Sequence, residues 1–187
     1  LEVFGEGTSP GPSGNIEDNS YVSFGEAMQK LEDNGVSTNI ASYLGATTVR
    51  IQEIGYENRK ATDEEIESMR NIVKLAMEQG AIGIGSSLIY APADYADTNE
   101  LIELSKVASA YGGRYISHMR NEDSRILSAV DELIEIAEQA NIPAEIYHLK
   151  ASRQSNYHLL DSVISKVEEA RSRGLKITAD MYTYTAS

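Results

Sequence analysis

The sequence predicts an α/β fold, namely part of a (β/α)8 TIM-type barrel with about five to six β/α units. Six short apolar segments typical of buried strands alternate with five helical patterns, as in a parallel sheet with crossover helices. Polar residues directly follow several of these segments, and barrel active sites collect at the carboxyl ends of strands. The chain has 187 residues, which is fewer than the about 250 of a complete barrel.

An open doubly wound sheet would show the same alternation. However, no Gly-x-Gly-x-x-Gly turn follows a predicted strand, and there is no Gly-x-x-x-x-Gly-Lys-Ser/Thr run. The usual signs of a nucleotide-binding open sheet are therefore missing. The polar strand ends favour the barrel.

The first part of the chain predicts a strand, a loop, a helix and a second strand. Residues 1–5 form an apolar strand, and the glycines and prolines of residues 7–15 indicate a loop. The helical pattern of residues 24–34 stops at Gly35, and residues 37–44 read as the next strand.

The helix that starts at Thr62 is the best defined. Thr62 and Glu65 fit a capping box, and apolar residues recur at helical spacing until Gly80. The remaining elements continue the alternation, with strands at 81–86, 114–118, 144–148 and 176–182 and helices at 98–112, 124–140 and 159–173.

Composition narrows the classes of partner. The chain carries 29 acidic and 16 basic residues, a formal net charge of −13, so nucleic acid and anionic membranes are not expected partners. No segment approaches the roughly 18 apolar residues of a membrane span. The absence of cysteine excludes disulfides and thiolate chemistry and fits a cytoplasmic location, which we expect.

Both ends of the chain suggest a segment of a longer protein. Residues 1–5 lack an initiator methionine and read as a strand entered midway, and the last residues directly follow an apolar strand. We expect residues 1–187 to form one structural unit. Because an incomplete barrel exposes unpaired strand edges, we also expect that copies associate as a homo-oligomer.

Two five-residue segments are near copies of each other. Each ends a predicted strand with a histidine followed two places later by a basic residue, at His118 and Arg120 and again at His148 and Lys150. A single strand-end histidine is commonly a hydrogen-bonded structural residue. Two at equivalent ends of successive parallel strands face the same rim, which favours a metal site. His158, at a loop–helix junction, is interpreted as a surface residue.

A zinc site that hydrolyses substrates normally has three or more protein ligands and a position for water. Glu6, directly after the first strand, is the available carboxylate at the same rim. Its position is equally consistent with a third metal ligand and with a solvent-exposed loop residue.

Further polar residues lie near the predicted rim. Lys150 has the same strand parity as His148, so its ammonium could reach a substrate carboxylate. Arg120 has this relation to His118, or it pairs with Glu122 or Asp123.

Asp180 and Tyr182 share a parity at the end of the last strand, where either could orient a substrate or a neighbouring ligand. Tyr90 lies in the loop that follows the predicted strand at 81–86. Arg50 follows the second strand. Both are weaker candidates.

Four separated motifs resemble, in order, those of the N-acyl-D-amino-acid deacylases (D-aminoacylases) of the amidohydrolase superfamily. The resemblance covers nearly the whole chain. Its motifs are Gly80-Ala81-Ile82-Gly83-Ile84-Gly85-Ser86-Ser87-Leu88-Ile89-Tyr90-Ala91-Pro92, Tyr115-Ile116-Ser117-His118-Met119-Arg120-Asn121-Glu122, Ile146-Tyr147-His148-Leu149-Lys150 and Asp180-Met181-Tyr182-Thr183-Tyr184-Thr185-Ala186.

The resemblance implies a zinc-dependent amide hydrolase built on a metal-dependent-hydrolase barrel, with one or two Zn²⁺ ions. His118 and His148 match two metal ligands of the family. Glu6 stands where many relatives have a cysteine ligand and others a carboxylate. Lys150 and Tyr182 match positions that hold the substrate carboxylate. A pocket-lining motif contains Tyr90.

The chain also departs from the family pattern. The family's His-x-His pair, last barrel strand with its catalytic aspartate, and small β-sandwich are absent, and we expect them before Leu1 and beyond Ser187. No catalytic residue is therefore assigned, and this stretch alone is expected to be inactive. Thr183 stands where proline is usual, and residues 44–50 lack the usual histidine after glycine.

The predicted function is hydrolysis of the amide bond of N-acyl-D-amino acids, or of similar carboxylate-bearing amides, by metal-activated water. The expected partner is a small-molecule acylated amino acid. Two alternatives remain open, a cyclic-amide hydrolase similar to dihydroorotase or hydantoinase, and an inactive fragment or binding module.

Overall fold

A computed structural model describes residues 1–15 and 20–184. The helices are α1 Phe24–Asp33, α2 Ala46–Ile54, α3 Asp63–Glu78, α4 Thr98–Ala110, α5 Ile126–Gln139 and α6 Leu160–Ser172. The strands are β1 Glu2–Phe4, β2 Ile40–Ser42, β3 Leu44–Gly45, β4 Gly83–Ser87, β5 Arg114–His118, β6 Ala144–Ile146 and β7 Ile177–Ala179. Short 3₁₀ helices occur at Ala93–Tyr95 and Gln154–Leu159.

All pairs between these strands are parallel, and the strands stand side by side in chain order. β1 pairs with β2, and β3 to β7 form a second sheet in the order β3-β4-β5-β6-β7. Only Tyr43 separates β2 from β3, and the Ile82 amide donates to the Ser42 carbonyl at 3.1 Å. The predicted α/β fold with a parallel sheet is confirmed. Closure of that sheet into a barrel stays a prediction.

The helices cover the sheet with a continuous apolar core. Its fully buried members come from strands and helices alike, for example Leu44, Ile84, Leu104, Tyr115 and Ile136. In the described parts of the chain, no helix is both long and apolar enough to pass through a membrane.

The capping box predicted for α3 is confirmed. The Thr62 hydroxyl accepts a hydrogen bond from the Glu65 amide at 3.3 Å, and the Glu65 carboxylate accepts one from the Thr62 amide at 2.8 Å. Met69, Val73 and Ala76 then face the core. This helix begins where local signals place it because two otherwise unpaired backbone donors find partners.

One helix was not predicted. α2 begins directly after β3 and contains Thr47, Thr48 and Val49, whose branched side chains lower helix propensity, and it has no side-chain cap. It forms because its buried face, with Val49 fully buried, packs into the core. The prediction of strict alternation is wrong here, since α2 and α3 follow one another between β3 and β4.

Three predicted strands are too long. The strand predicted at 37–44 forms only the short β2 and β3, and that at 176–182 ends at Ala179. The strand predicted at 144–148 ends at Ile146, and His148 has a φ of 38° in the left-handed region. A strand cannot continue through that conformation. Residues 185 and 186 of the last motif lie outside the described residues.

Candidate metal centre

Two histidines lie side by side at one edge of the sheet. His118 is the last residue of β5, and His148 lies two residues after the end of β6, the neighbouring strand. Their ring centroids are 4.5 Å apart and the rings are nearly perpendicular, at 83°. The parallel pairing of β5 with β6 therefore brings the two copies of the histidine motif together.

Glu6 joins the histidines from the loop after β1. Its Oε1 lies 3.2 Å from His118 Nδ1 and 3.2 Å from His148 Nε2. One ligand atom from each of the three residues lies within 4.8 Å of the others. Bonds of about 2.0–2.1 Å to a tetrahedral zinc ion would separate ligand atoms by about 3.3 Å, so this set fits such an ion.

The loop that carries Glu6 is held against α2 and β4. Gly5 and Gly7 flank Glu6 with φ values of 105° and 85°, which favour glycine. The Ser87 hydroxyl donates to the Glu6 carbonyl at 2.8 Å, and the Thr47 amide donates to the Gly7 carbonyl at 2.9 Å. The Glu6 backbone is thus fixed, while its side chain is 37% exposed.

His148 is held by the segment after β7. Its amide donates to the Asp180 carboxylate, and the Leu149 amide donates to the Asp180 carbonyl at 2.8 Å. The Asp180 amide donates in turn to the Ile146 carbonyl at 3.2 Å. Of the two roles considered for Asp180, these contacts support orientation of a neighbouring candidate ligand.

A second carboxylate lies on the other side of the imidazoles. Glu122 Oε1 is 3.1 Å from His148 Nδ1, 3.8 Å from His118 Nε2 and 2.6 Å from Lys150 Nζ. Lys150 Nζ also lies 2.8 Å from His148 Nδ1. The sequence suggested Glu122 only as a partner of Arg120. Its position four residues after a strand-end histidine was the available signal.

Two tyrosines complete the surroundings of the histidines. The Tyr90 ring centroid is 5.3 Å from that of His118, and the Tyr182 centroid is 6.3 Å from that of His148. Lys150 Nζ lies 5.7 Å from the Tyr182 ring centroid. The structure therefore brings all the predicted metal-binding and substrate-binding residues to one place.

An open cleft of about 310 Å³ lies beside Glu6. Its lining includes Thr8, Thr47, Ser87 and Tyr90, and Glu6 is the only charged residue among the lining residues. This cleft would accept a small, uncharged group next to the candidate ligands.

Two other candidates lie away from the histidines. Arg50 is buried in α2, where it pairs with Glu100 at 2.5 Å. Arg120 pairs with Glu132 at 2.8 Å, so the alternative in which it pairs with Glu122 or Asp123 is wrong. Both predictions missed partners that only the tertiary fold brings close.

The third histidine also lies elsewhere. His158 is exposed, as predicted, in the 3₁₀ helix Gln154–Leu159.

Burial makes His118 suited to metal binding. It lowers the pKa of His118, which outweighs the attraction of Glu122 for the charged imidazolium, and nearby His148 lowers that pKa further. A lower pKa keeps the ring neutral, and the neutral ring is the form that binds metals. A nitrogen-and-oxygen donor set with one neutral ring suits zinc.

The curated proteins that match the chain include relatives from Alcaligenes xylosoxydans xylosoxydans. The chain is 35% identical over 166 residues to a D-aminoacylase, covering 89% of this chain and 34% of that protein. It is 27% identical over 157 residues to an N-acyl-D-glutamate deacylase, covering 84% and 32%. The chain thus spans about a third of the length of the curated relatives it matches. No family model matches the chain.

Solved structures of D-aminoacylases also resemble the chain. A crystal structure of D-aminoacylase, described as defining a novel subset of amidohydrolases, aligns with a TM-score of 0.87 at 26% identity, covering 99% of this chain and 42% of that one. A second D-aminoacylase structure, described with a binuclear metal centre, aligns with a TM-score of 0.84 at 26% identity, covering 96% of this chain and 40% of that one. The resemblance to the N-acyl-D-amino-acid deacylases is confirmed.

Proposed function

We propose that this chain is the central part of a metal-dependent amidohydrolase of the N-acyl-D-amino-acid deacylase type, which hydrolyses the amide bond of N-acyl-D-amino acids. The observation that carries the proposal is the convergence of Glu6, His118 and His148, with ligand atoms within 4.8 Å of one another. The likeness to D-aminoacylases over most of the chain supports it.

The proposed metal is zinc, held by Glu6, His118 and His148. When bound, zinc supplies Lewis-acid chemistry, which polarises an amide carbonyl and activates water near neutral pH. The residues of this chain bind and orient the substrate. The Lys150 ammonium, beside His148, provides the positive charge for a substrate carboxylate, and Tyr182 lies next to that ammonium.

The two ends of the substrate would lie on different sides of the candidate ligands. Lys150 marks the carboxylate end, and the cleft lined by Thr8, Ser87 and Tyr90 would take the uncharged acyl group. We assign no proton-transfer residue within this chain. The aspartate that the family resemblance implies for that role would lie beyond Ser187.

Zinc titration tests the metal site directly. We expect the 187-residue protein to bind one zinc ion. Loss of a residue that supports a metal ligand costs up to about 100-fold in metal affinity, so loss of the ligand itself in His148→Ala should weaken zinc binding by at least about 100-fold. His158→Ala is the matched control, because His158 is an exposed histidine away from the site. Chelator competition at constant pH measures the dissociation constants. Equal zinc affinity in wild type and His148→Ala would reject the site.

Ligand binding tests the substrate class. The zinc-loaded protein is expected to bind an N-acetyl-D-amino acid at least about tenfold more tightly than its carboxamide, a difference of about 1.4 kcal/mol. Lys150→Met should remove this preference, whereas Lys166→Met, which breaks the remote Lys166–Asp131 pair, should not. Tighter binding of a hydantoin would favour the cyclic-amide alternative. Binding of neither class would favour the alternative of an inactive fragment or binding module.

A further inference from the structure

Glu122 is a buried acidic residue that the proposed reaction does not use. Its side chain is only 7% exposed, and removing a carboxylate from water is costly unless charged or hydrogen-bonding partners compensate. The compensating cation is Lys150, whose Nζ lies 2.6 Å from Glu122 Oε1. The Glu122 carboxylate is therefore buried beside Lys150 and the imidazole of His148.

The two histidines face carboxylates on both sides. His118 Nδ1 and His148 Nε2 lie towards Glu6, and the remaining nitrogens lie towards Glu122, at 3.8 Å for His118 Nε2 and 3.1 Å for His148 Nδ1. Glu122 therefore stands behind both candidate ligands, on the side away from the proposed ion.

The contacts of His148 distinguish two proton positions on its ring. With the proton on Nε2, the ring donates to Glu6 and Nδ1 accepts from Lys150. With the proton on Nδ1, that nitrogen faces Glu122 Oε1 at 3.1 Å, and Nε2 is free to bind a metal. Only the second arrangement is compatible with the proposed ligand set, and Glu122 is the acceptor that stabilises it.

We infer that Glu122 is a positioning residue, which holds His148 with its proton on Nδ1 and turns Nε2 towards Glu6. This inference rests on the proposed function. The same carboxylate holds Lys150, so one buried residue orients a candidate metal ligand and the candidate substrate-binding ammonium. When the His148 proton lies on Nδ1, Lys150 no longer has that nitrogen as an acceptor and keeps Glu122 as its partner.

Two measurements on the 187-residue protein test this inference. The first is zinc affinity, by chelator competition at constant pH, for wild type, Glu122→Gln and Glu122→Ala. Loss of a partner behind a ligand typically costs about 10- to 100-fold in metal affinity, so we expect the lower end for Gln and the upper end for Ala. Glu132→Gln is the matched control, because Glu132 is a mostly buried carboxylate paired with Arg120.

The second measurement is the ¹⁵N NMR spectrum of the imidazole nitrogens. In zinc-loaded wild type we expect His148 to carry its proton on Nδ1. The ¹⁵N shifts of His148 should move in Glu122→Gln, which has nearly the shape of the native residue, and stay unchanged in Glu132→Gln. A residue that only stabilised the loop would not change these shifts.

The possible failures are distinguishable. If wild type binds zinc and both Glu122 variants bind it within about twofold of wild type, the inference is wrong and the proposed function stands. If wild type binds no zinc, the proposed function fails. In that case the ¹⁵N spectra of the zinc-free protein still test the positioning role of Glu122. Identical His148 shifts in wild type and Glu122→Gln would reject that role.

Discussion

A single buried ion pair links three parts of the chain. Arg50 on α2 contacts Glu100 on α4 at 2.5 Å, and both side chains are at most 2% exposed. Arg50 also donates to the carbonyl groups of Glu57 and Arg59. Arg50 thereby connects α2 and α4 to the segment between α2 and α3.

Truncation of this pair should strongly destabilise the protein. Glu100→Ala leaves the Arg50 guanidinium buried without its counter-charge, which typically costs about 3–5 kcal/mol. Urea denaturation measures the free energy of unfolding. Glu103→Ala, which removes a more exposed carboxylate from the same helix, should cost about 1 kcal/mol or less. Equal losses in the two variants would contradict this role for the pair.

The same carboxylate gives a specific pH dependence. Burial raises the pKa of Glu100 to about 7 from an ordinary value of 4.5, although Arg50 opposes the shift. The folded protein therefore binds more protons than the unfolded chain between about pH 4.5 and 7, and stability falls as pH rises through this window. Compared with Glu100→Gln, wild type should lose stability across that window. A constant difference between their unfolding free energies would contradict the raised pKa.

Residue patterns revealed some parts of the site and not others. His118 and His148 were found because both end predicted strands within matching motifs, and the sheet does place them together. Their role as ligands stays a prediction. Glu122 lies in a loop without periodicity, and the Arg50–Glu100 pair joins residues that are distant in sequence. Such contacts depend on tertiary structure that local patterns do not encode.

At the level of elements, helices with strong local signals were predicted well. The capping box of α3 marks its start, whereas α2 has branched residues, no side-chain cap and a glycine directly before it. The length of β6 was also overestimated, because the left-handed conformation of His148 is not apparent from its apolar neighbours. Tertiary packing determines these two features.

The close approach between β4 and the loop after β1 allows a test. A Cβ added at Gly85 would lie 1.8 Å from the Gly5 carbonyl oxygen, so Gly85→Ala should displace the Glu6 loop. We expect a loss of about 1–3 kcal/mol, typical of overpacking, together with weaker zinc binding. Thermal unfolding and zinc titration measure the two effects.

Gly25→Ala serves as the control for that substitution. Its nearest atoms belong to the Gln79 side chain, at 3.1 Å or more, which can move aside. Alanine also favours the helix at this position. Zinc binding should remain unchanged in this control, and unchanged binding in Gly85→Ala as well would show that the loop position does not depend on Gly85.

At the scale of the whole molecule, β1 and β7 are the outer strands of the two described sheets. Within residues 1–15 and 20–184, β1 pairs only with β2, and β7 pairs only with β6. Val3 and Phe4 of β1, and Leu1 directly before it, are also exposed. Unpaired apolar edges promote association between chains, so we expect the 187-residue protein to form oligomers through them.

Charging one edge should reduce this association. Val3→Lys places an ammonium on β1, and charged edge residues oppose strand pairing between molecules. Sedimentation velocity at several concentrations is expected to show a shift from oligomer towards monomer. Val36→Lys is the control, because Val36 is comparably exposed outside the strands. A monomeric wild type would rule out the association itself.

The donor set of Glu6, His118 and His148 has a consequence for durability. The sequence contains no cysteine, so the proposed centre depends only on imidazole and carboxylate groups, which do not undergo the peroxide-driven oxidation of thiols. Soft ions such as cadmium, which prefer sulfur donors, would also lose their main advantage over zinc. Hydrogen peroxide or an alkylating reagent such as iodoacetamide would therefore leave zinc binding by this protein intact.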